Sequence, residues 1–361
     1  MSVTCFATTL ANDIHMDQGK IIRFCLVALP GGILLLGVAS VFVTHFVGGK
    51  DVETEKAKAK QEQAAEIMRK PVTQEDLEKY VKTLAGDIGE RNMSNYKSLR
   101  AAAFWIESTI GPSNMGYVVD RQNYEVDGQM VWNVVAELPG STHANEIVII
   151  GAHYDTVEGS PGANDNGTGV AALLSLANAF SGSNPARTLR FVAFVNEEPP
   201  HSHTEFMGSV VYAKYLEKQG VKVVAMVSLD TIGSFSNEPG SQKIPEGLPG
   251  ETFPSTGSFV ALVGNPENES LVEKVEKAYE SAGAKVPALA VALPETIEGW
   301  GGSDHWSFWR SGYPALMVTD TAPYRYPHYR QPSDTPEQID FPRFTEVVKG
   351  LRAVVESLAN P

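Results

Sequence analysis

The sequence predicts an α/β protein: a three-layer α/β/α sandwich with a mixed, mostly parallel central sheet, in a single globular domain that follows an N-terminal transmembrane segment. Two observations predict the sandwich. Short apolar runs alternate along the chain with stretches of helical periodicity. These runs are nearly continuous in Val, Ile and Phe, which is typical of parallel strands buried on both faces. A third observation, an uncharged stretch near the N-terminus, predicts the membrane segment.

The elements of the globular part can be assigned in order. Helical periodicity marks residues 72–89 and 94–111, and a glycine ends each stretch. Five apolar runs predict strands at 146–155, 188–198, 221–230, 258–265 and 314–320. Further helical stretches lie at 167–180, 208–220, 268–283 and 342–359. Strands separated by helices favour parallel pairing, and such sheets bind ligands at the carboxyl ends of their strands.

Composition and charge exclude several classes of function. Of 361 residues, 29 are Lys or Arg and 43 are Asp or Glu, which gives a formal net charge of −14. This balance argues against nucleic acid as a partner. The two cysteines, Cys5 and Cys25, both lie near the N-terminus, so the globular part has no disulfide framework and no cysteine zinc site. A metal site there must use His and carboxylate side chains, and the oligomeric state is left open.

The residues before the globular domain divide into three segments. Residues 1–23 are an N-terminal tail. Residues 24–47 contain no Asp, Glu, Lys or Arg, and as a helix they would span about 36 Å, enough for a transmembrane anchor. Residues 48–70 are rich in Lys, Glu, Ala and Gln, which predicts a charged helical stalk. The globular domain occupies residues 71–361.

A cleaved signal sequence is the alternative interpretation of residues 24–47. Lys20 and Arg23 would then form its basic n-region, and Val38-Ala39-Ser40 would be the cleavage site. We expect a single-pass, membrane-anchored protein whose globular domain lies outside the cytoplasm, since long domains translocate largely regardless of charge. If the segment is cleaved, the domain would be secreted or periplasmic.

Ionisable side chains follow four of the predicted strands at the point where each strand ends. They are His153 and Asp155 after the first run, Glu197 and Glu198 after the second, Asp230 after the third and Asp320 after the fifth. Because unpaired buried carboxylates are costly, several at one sheet edge indicate a cation or a hydrogen-bonded network. His153 and Asp155 point to the same side of the sheet, so Asp155 can fix the ring tautomer of His153.

Two further residues complete a candidate metal-binding set. The glycine-rich turn GANDNGTG, residues 162–169, brings Asp165 to the start of a helix, although a turn or N-cap role would explain Asp165 alone. His328 lies in a proline-rich loop near the C-terminus. Zinc sites without cysteine use sets of this kind: His153, Asp165, Glu198, Asp230 and His328. Five ligands suffice for two ions that share one carboxylate.

Six motifs occur in order between residues 151 and 340, within a resemblance that covers residues 75–358: GAHYDT, GANDNGTG, NEE, SLDTIG, GGSDHWSFW and YPHYRQPSDTPEQID. In this order they resemble the co-catalytic dizinc aminopeptidases, metallo-exopeptidases related to bacterial leucyl aminopeptidases, glutamate carboxypeptidase-type enzymes and glutaminyl cyclases. The resemblance implies that residues 71–361 are a zinc peptidase domain with two Zn²⁺ per chain and peptide substrates.

The resemblance also implies a role for each residue of the site. His153 and Asp230 would bind one zinc, Glu198 and His328 the other, and Asp165 would bridge the two. Glu197 would be the general base that takes a proton from a metal-bridging water, and Asp155 would orient His153. The implied activity is hydrolysis of N-terminal residues from peptides.

Other activities stay open on the sequence alone. A carboxypeptidase or deacylase could use the same metals, which do not determine the end of a peptide that binds. A glutaminyl cyclase would keep many of the ligands but would catalyse acyl transfer at one zinc. A non-catalytic ectodomain is the remaining alternative, although every ligand position is filled. Residues 199–204 depart from the family pattern, and we expect His201 and His203 to be exposed there.

Overall fold

The computed structural model describes residues 70–361, apart from positions 249, 251 and 298. Residues Arg69–Pro361 form one compact unit, so a single globular domain is confirmed for this part of the chain. The predicted membrane segment, 24–47, lies outside the described residues, as does nearly all of the predicted stalk, 48–70. Among the residues that are described, no helix combines the length and the apolar character needed to cross a bilayer.

Eight strands form one mixed sheet in the described part of the chain. They are β1 (Val118–Val126), β2 (Gln129–Leu138), β3 (His143–His153), β4 (Arg187–Phe194), β5 (Lys222–Leu229), β6 (Val260–Gly264), β7 (Ala288–Ala292) and β8 (Ala315–Thr319). Their order across the sheet is β1-β2-β4-β3-β5-β8-β6-β7. The pairings β3–β4, β3–β5, β5–β8 and β6–β7 are parallel, and the other three are antiparallel. The predicted mixed sheet is confirmed.

Helices cover both faces of the sheet. They are α1 (Gln74–Val81), α2 (Tyr96–Ile110), α3 (Gly169–Phe180), α4 (Gly208–Lys218), α5 (Glu269–Ser281), α6 (His305–Arg310), α7 (Ala322–Arg325) and α8 (Phe341–Ala359). The helix α1 begins where the Thr73 side chain accepts a hydrogen bond from the backbone amide of Asp76, and α8 begins in the same way at Asp340. Such N-caps satisfy amides that have no partner within the helix.

The alternation of side chains along β3 separates the two outer layers. Val148, Ile150 and Ala152 pack into the larger core, which includes residues of α1, α2, α3, α5 and α8. Ile147 and Ile149 point to the other face, where residues of α4 and α6 cover them. Both faces of the strand are therefore buried, which explains why its sequence is a continuous apolar run. The predicted three-layer arrangement is confirmed.

The register of the central strands brings their carboxyl ends to one edge. His153 of β3 lies opposite Phe194 of β4, and Gly151 of β3 lies opposite Ser228 of β5, which in turn lies opposite Met317 of β8. These four strands are parallel and adjacent. The ionisable residues that follow them therefore emerge at the same edge of the sheet, as predicted.

The structure also contains elements that the sequence did not resolve individually. The strands β1 and β2 form an antiparallel hairpin at one edge of the sheet, and β7 lies at the other edge. Most side chains of β1 are exposed or only half-buried, so its polar sequence lacks the continuous apolar run that marks a central strand. The helix α6 has only six residues, too few for its periodicity to be distinctive.

Candidate metal centre

His153 is the last residue of β3, and its side chain is fully buried. Its Nδ1 atom lies 3.2 Å from the backbone oxygen of Asp155 and 3.5 Å from Asp155 Oδ1. The Asp155 carboxylate also accepts hydrogen bonds from the backbone amides of Glu197 and Glu198, both at 3.1 Å. Asp155 therefore connects the ends of β3 and β4, and it leaves Nε2 as the imidazole nitrogen that can bind a ligand.

Three carboxylates from three segments of the chain surround the Nε2 atom of His153. Asp165 Oδ1 lies 3.4 Å from this nitrogen, and Glu197 Oε2 and Asp230 Oδ1 both lie 3.7 Å from it. Asp165 comes from the turn before α3, Glu197 follows β4, and Asp230 follows β5. The structure thus brings together residues that are far apart in the sequence, and it does so at the predicted edge.

The composition of this cluster fits a metal ion. One possible ligand atom from each of His153, Glu197 and Asp230 lies within 4.8 Å of the other two. Several buried side-chain atoms of the described residues lack a hydrogen-bond partner, and they include four at this cluster: His153 Nε2, Asp165 Oδ2, Glu197 Oε1 and Glu198 Oε1. Buried polar atoms normally have partners, and a cation would supply one for His153 Nε2 and for the carboxylates around it. Imidazole and carboxylates are a ligand set that zinc accepts.

Burial is the largest influence on the pKa of two acidic side chains of the cluster, Glu197 and Glu198. It raises the pKa of Glu197 well above the usual range, against the attraction of His153. It also raises the pKa of Glu198, where the charge of Asp165 adds to the effect. For Asp165, burial is outweighed by the hydrogen bond and charge of His153 and by Arg330, so its pKa is lowered. Carboxyl groups in such surroundings favour a nearby cation.

Arg330 is a site residue that sequence reasoning missed. Its Nη2 atom donates a hydrogen bond to Glu198 Oε2, and its Nε atom lies 3.7 Å from Asp165 Oδ2. Burial alone would lower the pKa of Arg330, but Glu198 and other acidic neighbours raise it above its ordinary value. The guanidinium is therefore a fixed positive charge against two of the predicted metal ligands. The only sequence signal was a basic residue two positions after His328.

His328 is the predicted ligand that the structure does not bring into the cluster. Its Nδ1 atom lies 2.9 Å from Ser333 Oγ, within its own loop. Across the described residues, no carboxylate oxygen lies within 4.0 Å of either ring nitrogen of His328. The oxygen Oε2 of Glu198, its predicted neighbour, is instead bonded to Arg330.

The turn that carries Asp165 is held by Asp334, a second residue that sequence reasoning missed. Asp334 is fully buried and accepts hydrogen bonds from the backbone amides of Asn164 (2.8 Å) and Asp165 (3.1 Å) and from the Tyr326 hydroxyl (2.8 Å). Burial raises the pKa of Asp334 to about 6. The turn also requires Gly162, whose φ is 63°, since an added Cβ would lie 2.4 Å from the backbone oxygen of Asp165.

Asp320 follows β8 but has a structural role. It is fully buried and accepts hydrogen bonds from the Gly233 and Ser234 backbone amides, at 3.0 and 2.7 Å. The Asn164 side chain donates to the same oxygen at 3.0 Å. Asp320 thus holds the loop after β5 against the Asp165 turn.

Arg91, which the sequence also did not reveal, is completely buried beneath the site. Its guanidinium donates hydrogen bonds to five backbone carbonyl oxygens: those of Leu84, Gly89, Tyr154, Pro161 and Gly162. Burial lowers the pKa of Arg91 to about 10, against the charge of Asp334. Arg91 therefore connects the turn after α1 to the loop that follows His153.

The segment after Glu198 contains two histidines with different environments. His201 is buried, with 8% of its surface exposed, so the prediction that it is exposed was wrong. His203 is exposed as predicted, but its ring packs on Trp306 with centroids 4.3 Å apart, and its Nε2 lies 2.8 Å from the Gly301 oxygen. These contacts give His203 a structural role, in which it holds the segment against the loop before α6.

Two cavities adjoin the acidic cluster on different sides. The first has a volume of about 90 Å³ and is bordered by Asp230 and Tyr329. Much of its wall is apolar and includes Val263, Trp300, Met317 and Pro323. The second has a volume of about 280 Å³ and is bordered by Asp155 and Glu198, together with polar residues such as Asn92, Ser94 and Gln129. A ligand at the cluster can therefore extend in two directions, one apolar and one polar.

Comparisons with known proteins agree with this geometry. The profile of peptidase family M28 matches residues 133–355. The uncharacterized protein YfbL of Escherichia coli is 33% identical over 285 residues, which cover 77% of this chain and 86% of that protein. A probable leucine aminopeptidase of Trichophyton verrucosum is 30% identical over 241 residues, which cover 62% of this chain and 57% of that protein.

A solved structure shares the fold. The zinc aminopeptidase BSAP from Bacillus subtilis superposes with a TM-score of 0.62 and 17% sequence identity, over 79% of this chain and 95% of that chain. The ordered motifs, the strand-end cluster and the family match over more than half of the sequence lead to one assignment. The chain belongs to peptidase family M28.

Proposed function

We propose that this zinc-dependent metallopeptidase is an aminopeptidase that hydrolyses N-terminal residues from peptides. The observation that carries the proposal is the position of the acidic cluster directly beside a small apolar cavity. Carboxylates attract the free α-ammonium group of a peptide and repel a C-terminal carboxylate. The name of the Trichophyton relative, probable leucine aminopeptidase, supports the same reaction.

The apolar cavity is suited to the side chain of the N-terminal residue. The cavity has a volume of about 90 Å³ and a largely apolar wall. Such a wall favours burial of an aliphatic side chain. The remainder of the peptide would extend towards the polar cavity beside Glu198.

Three residues of the cluster would hold a zinc ion: His153, Asp165 and Asp230. Catalytic zinc sites commonly use three protein ligands and keep one position open. A zinc ion held there would supply Lewis acidity, which polarises the scissile carbonyl and makes water more acidic. The two Zn²⁺ per chain remain a prediction, because the second position needs Glu198 together with His328, and these residues are not in contact.

Glu197 would be the general base, although its distance to His153 and Asp230 would also allow it to be a ligand. We assign the base role because three other ligands suffice and because Asp155 fixes the backbone at Glu197. Its burial raises its pKa, which makes the carboxylate a better proton acceptor. Glu197 would take a proton from the attacking water and deliver it to the leaving amine.

Paired chromogenic substrates test the proposed reaction. We expect the zinc-loaded protein to cleave leucine p-nitroanilide and to leave N-acetyl-leucine p-nitroanilide intact, because acetylation removes the positive charge that the carboxylates attract. The release of nitroaniline measures both reactions.

Other products would contradict the aminopeptidase assignment. Cleavage of the blocked substrate would remove the requirement for a free amine, and release of C-terminal residues from peptides would favour a carboxypeptidase. Release of an acyl group from N-acylated amino acids would favour a deacylase. Conversion of a glutaminyl peptide to a pyroglutamyl peptide without chain cleavage would favour a glutaminyl cyclase.

We also propose that residues 24–47 anchor the protein in a membrane, with residues 71–361 outside the cytoplasm. The support is the absence of charge over that segment of the sequence. Added protease should digest the domain in intact spheroplasts, and carbonate washing should leave the protein in the membrane fraction. A domain that is protected until lysis would contradict this orientation, whereas release into the medium would favour a cleaved signal sequence.

A further inference from the structure

Arg330 occupies an unusual position for a basic residue in a cluster of metal ligands. Its guanidinium bonds to Glu198 through Nη2, and its Nε faces Asp165 Oδ2 at 3.7 Å. Glu198 and Asp165 are 2% and 4% exposed, so their charges need a partner within the protein. The planar guanidinium matches carboxylate geometry well, and it stays charged at any physiological pH.

The backbone conformation at Arg330 is one that neighbouring contacts must hold in place. Its φ is 57°, in the left-handed region that residues other than glycine seldom adopt. Such a conformation persists only where surrounding contacts maintain it. The Arg330 side chain supplies such contacts by pairing with Glu198 and Asp165.

The same two carboxylates are those that a second zinc ion would need. Its predicted ligands are Glu198, His328 and the bridging Asp165. His328 has its Nδ1 atom on Ser333 Oγ, and within the described chain no carboxylate oxygen lies within 4.0 Å of its ring nitrogens. A divalent ion between Glu198 and Asp165 would lie next to the positive charge of Arg330, which would repel it. The residues present therefore do not fit a second ion.

The first zinc position, at His153, Asp165 and Asp230, differs from the second in its ligands and in its charged neighbours. His153, Asp165 and Asp230 meet there, and Nε2 of His153 is among the buried atoms without a hydrogen-bond partner in the described residues. Apart from the ring of His153, no basic side chain of the described residues forms an ion pair with Asp230. A complete zinc position thus lies beside a second position where the guanidinium of Arg330 already supplies the positive charge.

We propose that the active site binds a single zinc ion, at His153, Asp165 and Asp230, and that Arg330 takes the place of a second metal. Arg330 neutralises Glu198 and Asp165 and holds both carboxylates in position. The inference rests on the zinc centre of the proposed function, and it goes further by fixing the metal content and by assigning a positioning residue.

Metal titration of the full-length protein tests this inference. Calorimetric titration of the metal-free protein with Zn²⁺ alone, together with elemental analysis after desalting, should give one tightly bound ion per chain. In Arg330→His, the guanidinium is removed and an imidazole is placed near Glu198 and Asp165. We expect this variant to retain two ions per chain.

Two further variants serve as controls. Arg330→Met removes the charge without adding a ligand, so we expect it to retain one ion, with any second ion lost on desalting. Arg343→His changes an arginine that pairs with Asp340 at the start of α8, away from the cluster, and should leave the stoichiometry unchanged. Circular dichroism establishes that each variant is folded.

The outcomes separate this inference from the proposed function. Two tightly bound ions in the unaltered protein would overturn the inference even if leucine p-nitroanilide is cleaved. One bound ion without any aminopeptidase activity would support the inference and contradict the proposed function. The absence of zinc binding would overturn both. If Arg330→His is folded but retains one ion, Arg330 is not what excludes the second metal, and the inference fails.

Discussion

Replacement of Glu197 by Gln is expected to lower kcat for leucine p-nitroanilide by about 10²- to 10⁴-fold, the usual contribution of a general base. The amide cannot accept the proton of the attacking water, but it keeps nearly the same shape. Zinc content should stay at the level of the unaltered protein, because His153, Asp165 and Asp230 are unchanged. Steady-state kinetics and elemental analysis of the same preparation measure the two effects.

Replacement of Asp230 by Ala provides the contrast. This change removes a carboxylate that lies 3.7 Å from His153 Nε2, so we expect loss of both zinc and activity. Added zinc at high concentration should partly restore activity to the Asp230 variant and should not restore it to the Glu197 variant. If Glu197→Gln also loses its zinc, then Glu197 is a ligand and the base must be sought elsewhere.

Replacement of Arg91 by Met is expected to destabilise the fold by at least ~3 kcal/mol, because removal of a buried charged partner leaves its acceptors unpaired. The methionine is of similar length but donates no hydrogen bond, so five buried or partly buried carbonyl oxygens would lose their donor. Urea denaturation of the metal-free protein, monitored by circular dichroism, measures the loss.

The matched control is Arg343→Met. Arg343 forms a partly exposed ion pair with Asp340, and such pairs contribute little to stability, so we expect a change of about 0.5 kcal/mol or less. The backbone amide of Arg343 still donates to the Asp340 cap after this change. Equal losses in the two variants would show that the buried contacts of Arg91 have no special importance.

The central part of the fold was predictable because its strands are buried on both faces. The run from Ile147 to Ile150 has no polar position, and burial of alternate side chains by two helical layers requires this composition. The edge strand β1 has no such requirement, since much of it contacts solvent, and its sequence is correspondingly ambiguous. Burial on both faces, rather than strand propensity, made the central strands recognisable in the sequence.

The ionisable side chains at the strand ends were predictable for a related reason. His153, Glu197 and Asp230 stand at or just after the ends of apolar strands, and parallel pairing alone brings such residues to one edge. Arg330, Arg91 and Asp334 meet partners that are 132, 63 and 170 positions away in the chain. They do so from loops and turns, where no periodicity specifies the direction of a side chain. Contacts of this kind became apparent only in the folded chain.

The carboxylate of Asp155 shapes the main chain around the site through contacts that need no ion. It accepts the amides of Glu197 and Glu198 through contacts that are internal to the protein. These contacts fix the backbone from which the two neighbouring acids project. A zinc ion at the cluster would therefore require little rearrangement of the main chain there.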